Sequence, residues 1–245
     1  AVRCACDRRR TGGFVHRYGT GVTGSPRDMP GPVIEYRRLE APVALPDDVL
    51  CAVTFGARSE SVDDPRCVRV GLEPLAGGGL VEVWHASGRV HRGYDGLVRY
   101  THDEHHLAAA IEIDESRYGG IAAAAQVAYA AMASFQAAVQ FPQVLRVWNY
   151  FDAINEGDGD GERYRQFCVG RTAGLGDALA KPYPAATAIG RRDGDRTLQV
   201  YWLAGRVPGR AIENPRQVSA YLYPRRYSPS PPVFSRAMLV SPDLL

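Results

Sequence analysis

Hydrophobic and polar positions change rhythm along this chain. Between residues 44 and 114 the apolar residues come in short runs, ALPDDVLCAVTFG, DPRCVRVGLEPL, GLVEVWHA, GLVRYTHD and LAAAIEID, separated by Gly, Asp and Pro. Branched and aromatic runs of that length between turn residues predict strands. The rhythm becomes helical after the glycine pair at 119–120. In IAAAAQVAYAAMASFQAAV alanine supplies helix propensity, and Ile121, Ala125, Tyr129, Met132 and Phe135 form one stripe. A strand is predicted next, over 144–150, because branched and aromatic residues dominate until Asp and Gly stop them.

A second helix is predicted over 162–170, with Asp160 as N-cap and Gly170 near its end. Tyr164, Phe167, Cys168 and Arg171 share one face at i, i+3, i+4, i+7, a face that is apolar until its last member, a charge. Residues 184–190 and 197–205 read as two strands joined across the charged turn RRDGDR. Within the second strand Leu198, Val200 and Trp202 alternate with Gln199, Tyr201 and Leu203, and the pattern leaves open which face is core. Residues 215–223 are predicted as a further strand, SPSPP at 228–232 as a linker, and 234–240 as the first strand of something new with nothing left to pair it. Strands and helices in this order give an α+β fold, mixed sheets with helices packed on one face. The expected organisation is a mobile leader over 1–30, a strand-rich unit over 31–110, a central unit over 111–228, and a linker and strand over 229–245.

Composition narrows the function classes. With 45% hydrophobic and 9% aromatic residues the chain can bury a core, which excludes a disordered protein. Its 29 basic and 27 acidic residues nearly cancel, so there is no overall field for nucleic acid or anionic lipid. No apolar run of membrane-spanning length and no signal-like N-terminus is read, which makes a cytoplasmic protein the expectation. Five cysteines, an odd number, argue for reduced thiols over a disulfide framework. Glu156, Asp158, Asp160 and Gly161 match part of a calcium loop, but Phe167 stands where the last acidic ligand is needed. His102, His105 and His106 have no second ligand cluster for zinc. No metal and no cofactor is therefore expected.

Chemistry concentrates in arginine and tyrosine. Arg146, Arg165, Arg171, Arg206, Arg216, Arg225 and Arg226 flank Tyr150, Tyr164, Tyr201, Tyr221 and Tyr223, a composition suited to a flat anionic small molecule. Most arginines in any protein are solvated, and Tyr164 and Phe167 fit a core role equally well on spacing alone.

The segments RVWNY, AINEGDGDGERYRQFCVGR, PAATAIG, LQVYWLAG and ENPRQVSAY resemble the chorismatase family, the chorismate hydrolases that include 3-hydroxybenzoate synthases, with a dense match from about Pro42 to Val240. The resemblance implies units like those of the RidA/YjgF family, a monomer in the complete family form, and a substrate site between the central and last units. It also implies hydrolysis of the chorismate enol ether to pyruvate and either a dihydroxycyclohexadienoate or 3-hydroxybenzoate. That reaction needs fixed cations for a dicarboxylate and an acid to protonate the enol methylene carbon. The substrate-binding residues expected here are Tyr164, Arg165, Gln166, Arg171, Tyr201, Arg216 and Tyr221. Family members continue into a third unit that supplies the acid, so this chain is expected to be a poor chorismatase that self-associates through 234–245. If the acid lies within the chain, Glu213 and Glu162 are the alternatives. A RidA-type imine or enamine deaminase and a noncatalytic binding fragment are the rival functions.

Overall fold

The computed structural model describes residues 31–39, 45–56, 63–75, 77–178, 181–241 and 244; the leader expected at 1–30 lies outside the described residues. Three sheets and two helices organise them. Val33–Leu39 (β1), Val49–Phe55 (β2), Cys67–Val70 (β3) and Gly79–His85 (β4) form a four-stranded sheet in the order β1-β4-β2-β3. A six-stranded sheet contains His91–Asp95 (β5), Val98–His102 (β6), His106–Asp114 (β7), Gln143–Asp152 (β8), Ala185–Arg191 (β9) and Thr197–Gly205 (β10), in the order β5-β6-β7-β10-β8-β9. Arg210–Ile212 (β11) and Ala237–Leu239 (β12) make an antiparallel ribbon. The sheets are mixed, since β2 and β3 run parallel, as do β8 and β9.

The helices, Ile121–Ala138 (α1) and Arg163–Leu175 (α2), lie on one face of the six-stranded sheet. Leu198, Val200, Trp202 and Ala204 of β10 join the α1 stripe and Phe167 and Cys168 of α2 in one core. Tyr201 and Leu203 point the other way, into a second core shared with Leu50, Val53, Val68 and Val70 of the four-stranded sheet. Both faces of β10 are thus core, which is why its alternation could not rank them. The molecule is layered as helices, large sheet and small sheet.

Helix α2 overruns the stop expected at Gly170. It ends at Gly176, whose φ of 49° suits glycine. Gly170 instead serves packing. A Cβ there would fall 1.9 Å from the Ala122 carbonyl oxygen, and one at Gly174 would fall 2.3 Å from that of Gln126. The two glycines, four residues apart, let α2 press its backbone onto the alanine-rich α1. Asp160 is not the N-cap; it sits in the 3-10 turn Gly159–Gly161, and Glu162 takes the cap position without a side-chain cap bond.

Other expectations change as well. β9 and β10 are not neighbours, because β8 lies between them. β8, α2 and β9 form a parallel crossover, and the charged turn wraps over the end of β8. Buried Arg191 binds Asp193 at 2.8 Å and the carbonyls of Asp195 and Thr197, while the Gly194 N–H donates to Asp152. Residues 215–223 hold only the 3-10 turn Ala220–Leu222, since Pro215 and Pro224 lack the donors a ladder needs. The terminal apolar segment is paired: β12 aligns with β11, Met238 is buried, and Ser235 bridges Ala185. The boundary drawn at 110/111 runs through β7, which is paired to β6 on one side and β10 on the other. Contrary to the sequence reading, α1 is by length and hydropathy apolar enough to span a membrane. Its stripe is buried against the sheet and α2, as in a core helix.

Candidate functional site

Arg171 is the most unusual charge in the fold. Its place at the end of the apolar face of α2 turns it inward, so that it is 4% exposed. One Nη donates to the Val233 carbonyl at 2.7 Å, the guanidinium lies 5.2 Å from the Tyr129 ring centroid, and Nε is buried with no acceptor. Among the described residues no carboxylate forms an ion pair with it. Tyr129 is itself held, donating to Asn149 at 2.7 Å, and Asn149 donates to the Thr187 carbonyl at 3.0 Å. A buried guanidinium without a counter-ion is costly, and the planar fork of an arginine has the geometry to pair with a carboxylate.

Tyr164 stands two turns earlier on the same face. Burial pushes its phenol well above the usual range, hydrogen bonding to Cys168 adds to this, and Tyr223 lies close enough to contribute. Burial likewise pushes the Cys168 thiol up to about 11, so neither group is an anion at neutral pH. The 213–236 segment closes on this face. Arg236, three residues beyond the carbonyl that holds Arg171, donates through Nη2 to the Tyr223 hydroxyl at 3.2 Å and to the Val218 carbonyl at 3.1 Å. Its Nε, too, is buried without an acceptor. Two guanidiniums and two phenols are therefore gathered between α2 and the segment leading to β12.

The other expected residues separate. Arg165 is engaged by Glu162 at 3.0 Å and by Asp160 at 3.6 Å, and Gln166 donates to the Asp160 carbonyl. Arg225 also binds Asp160, at 2.6 Å. Arg165 and Gln166 thus brace the turn before α2. Tyr201 is on the far face of the sheet, stacked between Trp148 at 4.8 Å and Tyr150 at 5.9 Å. The crevice beside it, lined by Cys51, Val68 and Trp84, has no room for a water molecule, so Tyr201 is a core residue apart from Tyr164. Arg216 is exposed, its N–H bound to the Asn214 side chain. Tyr221 packs edge-on to Tyr183 at 5.3 Å with the Lys181 ammonium 4.6 Å above its ring.

The sequence reading passed over Arg236 and left Tyr223 among the flanking aromatics. The proline-rich stretch before Arg236 assigned it to another unit, and no periodic signal tied it to α2. Two of the three acidic residues of the calcium-like loop are taken by arginines: Glu156 binds Arg196 at 2.6 Å, and Asp160 binds Arg225 and Arg165. No group of metal-ligating residues occurs among the described residues. His102 stacks on His91 at 5.1 Å, and Asp103 accepts from the backbone N–H groups of His105 and His106.

Fold and site together define an α+β protein in which two arginines and two tyrosines gather between α2 and the segment leading to β12. The family model described as chorismatase FkbO/Hyg5-like, N-terminal, matches residues 82–204, half of the chain, and the chain belongs to that family. A chorismatase from Streptomyces rapamycinicus is 38% identical over 167 residues, 66% of this chain and 49% of its own length. A 3-hydroxybenzoate synthase from Streptomyces hygroscopicus is 36% identical over 169 residues, 67% of this chain and 47% of its own. A crystal structure of a chorismatase superposes with a TM-score of 0.73 at 31% identity, covering 84% of this chain and 64% of that one. The chain spans about half the length of the curated relatives it matches.

Proposed function

We propose that this chain binds chorismate for chorismatase-type hydrolysis of its enol ether, with Arg171 and Arg236 receiving carboxylates and Tyr164 and Tyr223 flanking the ring. The observation that carries this reading is the buried Arg171 guanidinium, which has an idle Nε and no carboxylate partner among the described residues. Its family membership and the names of its relatives support chorismate as the substrate class.

In that reaction a proton is delivered to the enol methylene carbon and water adds to the resulting oxocarbenium carbon. The hemiketal then collapses to pyruvate and the ring alcohol, so one water is consumed for each chorismate. The cationic pair holds the dianion, and the phenol hydroxyls supply hydrogen bonds beside it. Neither arginine can serve as the acid, because a guanidinium keeps its proton.

Chorismate supplied to the purified protein, with pyruvate followed by coupled NADH oxidation, tests the reading. Pyruvate release that is lost in Arg171→Ala supports it. Ammonia from 2-aminoacrylate with no pyruvate from chorismate would replace it with the deaminase reading. Chorismate binding without either product would indicate a binding role alone.

A further inference from the structure

The ribbon at the end of the described fold brings an acid to the second arginine. Ile212 of β11 pairs with Ala237 of β12, so the next positions along the ladder are Glu213 and Arg236. The Glu213 Oε2 lies 3.8 Å from Arg236 Nε. Both carboxylate oxygens are buried, neither accepts a hydrogen bond, and Arg236 Nε has no acceptor. The other end of the guanidinium is already fixed by the Val218 carbonyl and the Tyr223 hydroxyl. A buried carboxylate without donors is expensive unless a charge beside it compensates. Among the described residues Arg236 is the charge that does so here.

We propose that Glu213 is a positioning residue, which holds the Arg236 guanidinium by charge along the ribbon and turns its free N–H groups toward an anionic ligand. This rests on the anion-binding reading above. The separation of 3.8 Å is too long for a hydrogen bond. The hold is therefore Coulombic and yields when a ligand carboxylate arrives, while the Tyr223 and Val218 contacts keep the plane of the guanidinium.

The test is a double-mutant cycle read by calorimetric titration of the purified protein with chorismate. Glu213→Gln keeps the shape and removes the charge; it is expected to weaken binding about fivefold or more in the otherwise unchanged protein. In an Arg236→Ala background the same change should cost less than about twofold, because its target is gone. Glu213→Asp, which keeps the charge, should recover most of the affinity, an outcome that a purely structural role would not require. If Glu213→Gln does not fold, Glu213→Met fills the same space without a polar atom and enters the cycle in its place. Unchanged or tighter binding, or equal losses in both backgrounds, overturns the proposal. The two readings fail differently. No binding by the unsubstituted protein overturns the anion site and this inference together. Binding that Arg171→Ala weakens and the Glu213 variants do not overturns the inference alone.

Discussion

Arg171 on α2 donates to the carbonyl of Val233 at 2.7 Å, and that bond joins the helix to the segment carrying Arg236. The acceptor is a neutral carbonyl and not a carboxylate, so the bond leaves the guanidinium without a counter-ion among the described residues. Its face on Tyr129 fixes the plane of the fork. Lysine cannot reproduce both contacts. Arg171→Lys is expected to lower stability by about 1.5–3 kcal/mol, measured by urea unfolding, by losing a charge-assisted hydrogen bond in a buried site. An unfolding midpoint equal to that of the parent would show that the contact to Val233 does not tie the two segments.

Helix–helix contact makes a separate prediction. Gly170→Ala would place a Cβ 1.9 Å from the Ala122 carbonyl oxygen, a backbone atom of α1 that cannot move alone. The helices must separate, which is expected to cost at least about 2 kcal/mol. A thermal melt should register this as a fall of at least about 4 °C for a chain of this size. A melting temperature equal to or above that of the parent would mean that the two helices do not approach this closely.

The pattern of residues made some elements easy to read and others not. α1 was legible because alanine propensity and a stripe of large residues agree. α2 was misjudged at its end: glycine is locally a stop signal, and only the nearness of α1 shows why Gly170 and Gly174 stay inside the helix. β10 gave a correct strand with no choice of face, since both sides are buried between different partners. The candidate site divides in the same way. Tyr164 and Arg171 share a helical face and could be found by spacing, whereas Arg236 reaches them through a non-local ribbon that no window of sequence contains. Tyr201 resembled a site residue by composition, yet register places it on the far side of the sheet.

Two histidines set a pH dependence. Burial lowers the affinity of His102 for a proton, and His91 and Arg206 oppose its charge further, against a favourable contribution from Asp103. Burial does the same to His106, with His105 opposing its charge and Asp103 favouring it. Both folded pKa values lie below the ordinary 6.5, so the unfolded chain binds more protons as pH falls through that value. Their contribution to stability is complete above about pH 6.5 and declines as pH drops toward the folded values. Asp103 adds loss at lower pH: burial raises its pKa, but N–H donors from His106, His105 and Ser87 outweigh that and leave it depressed. Urea midpoints measured from pH 7.5 to 5 should fall, and the fall should be shallower in His102→Gln/His106→Gln. An equally steep profile in that variant would assign the dependence to other groups.

The most direct test of the central claim is the equilibrium binding of chorismate to this chain, measured by titration calorimetry beside Arg171→Ala and Arg236→Ala. Each arginine offers a charge-assisted hydrogen bond of about 1.5–3 kcal/mol, which corresponds to at least a tenfold change in affinity. The account predicts saturable binding at one site per chain, weakened tenfold or more by either substitution in protein that still unfolds cooperatively. Binding unaffected by both substitutions, or no binding by the unsubstituted chain, would contradict it.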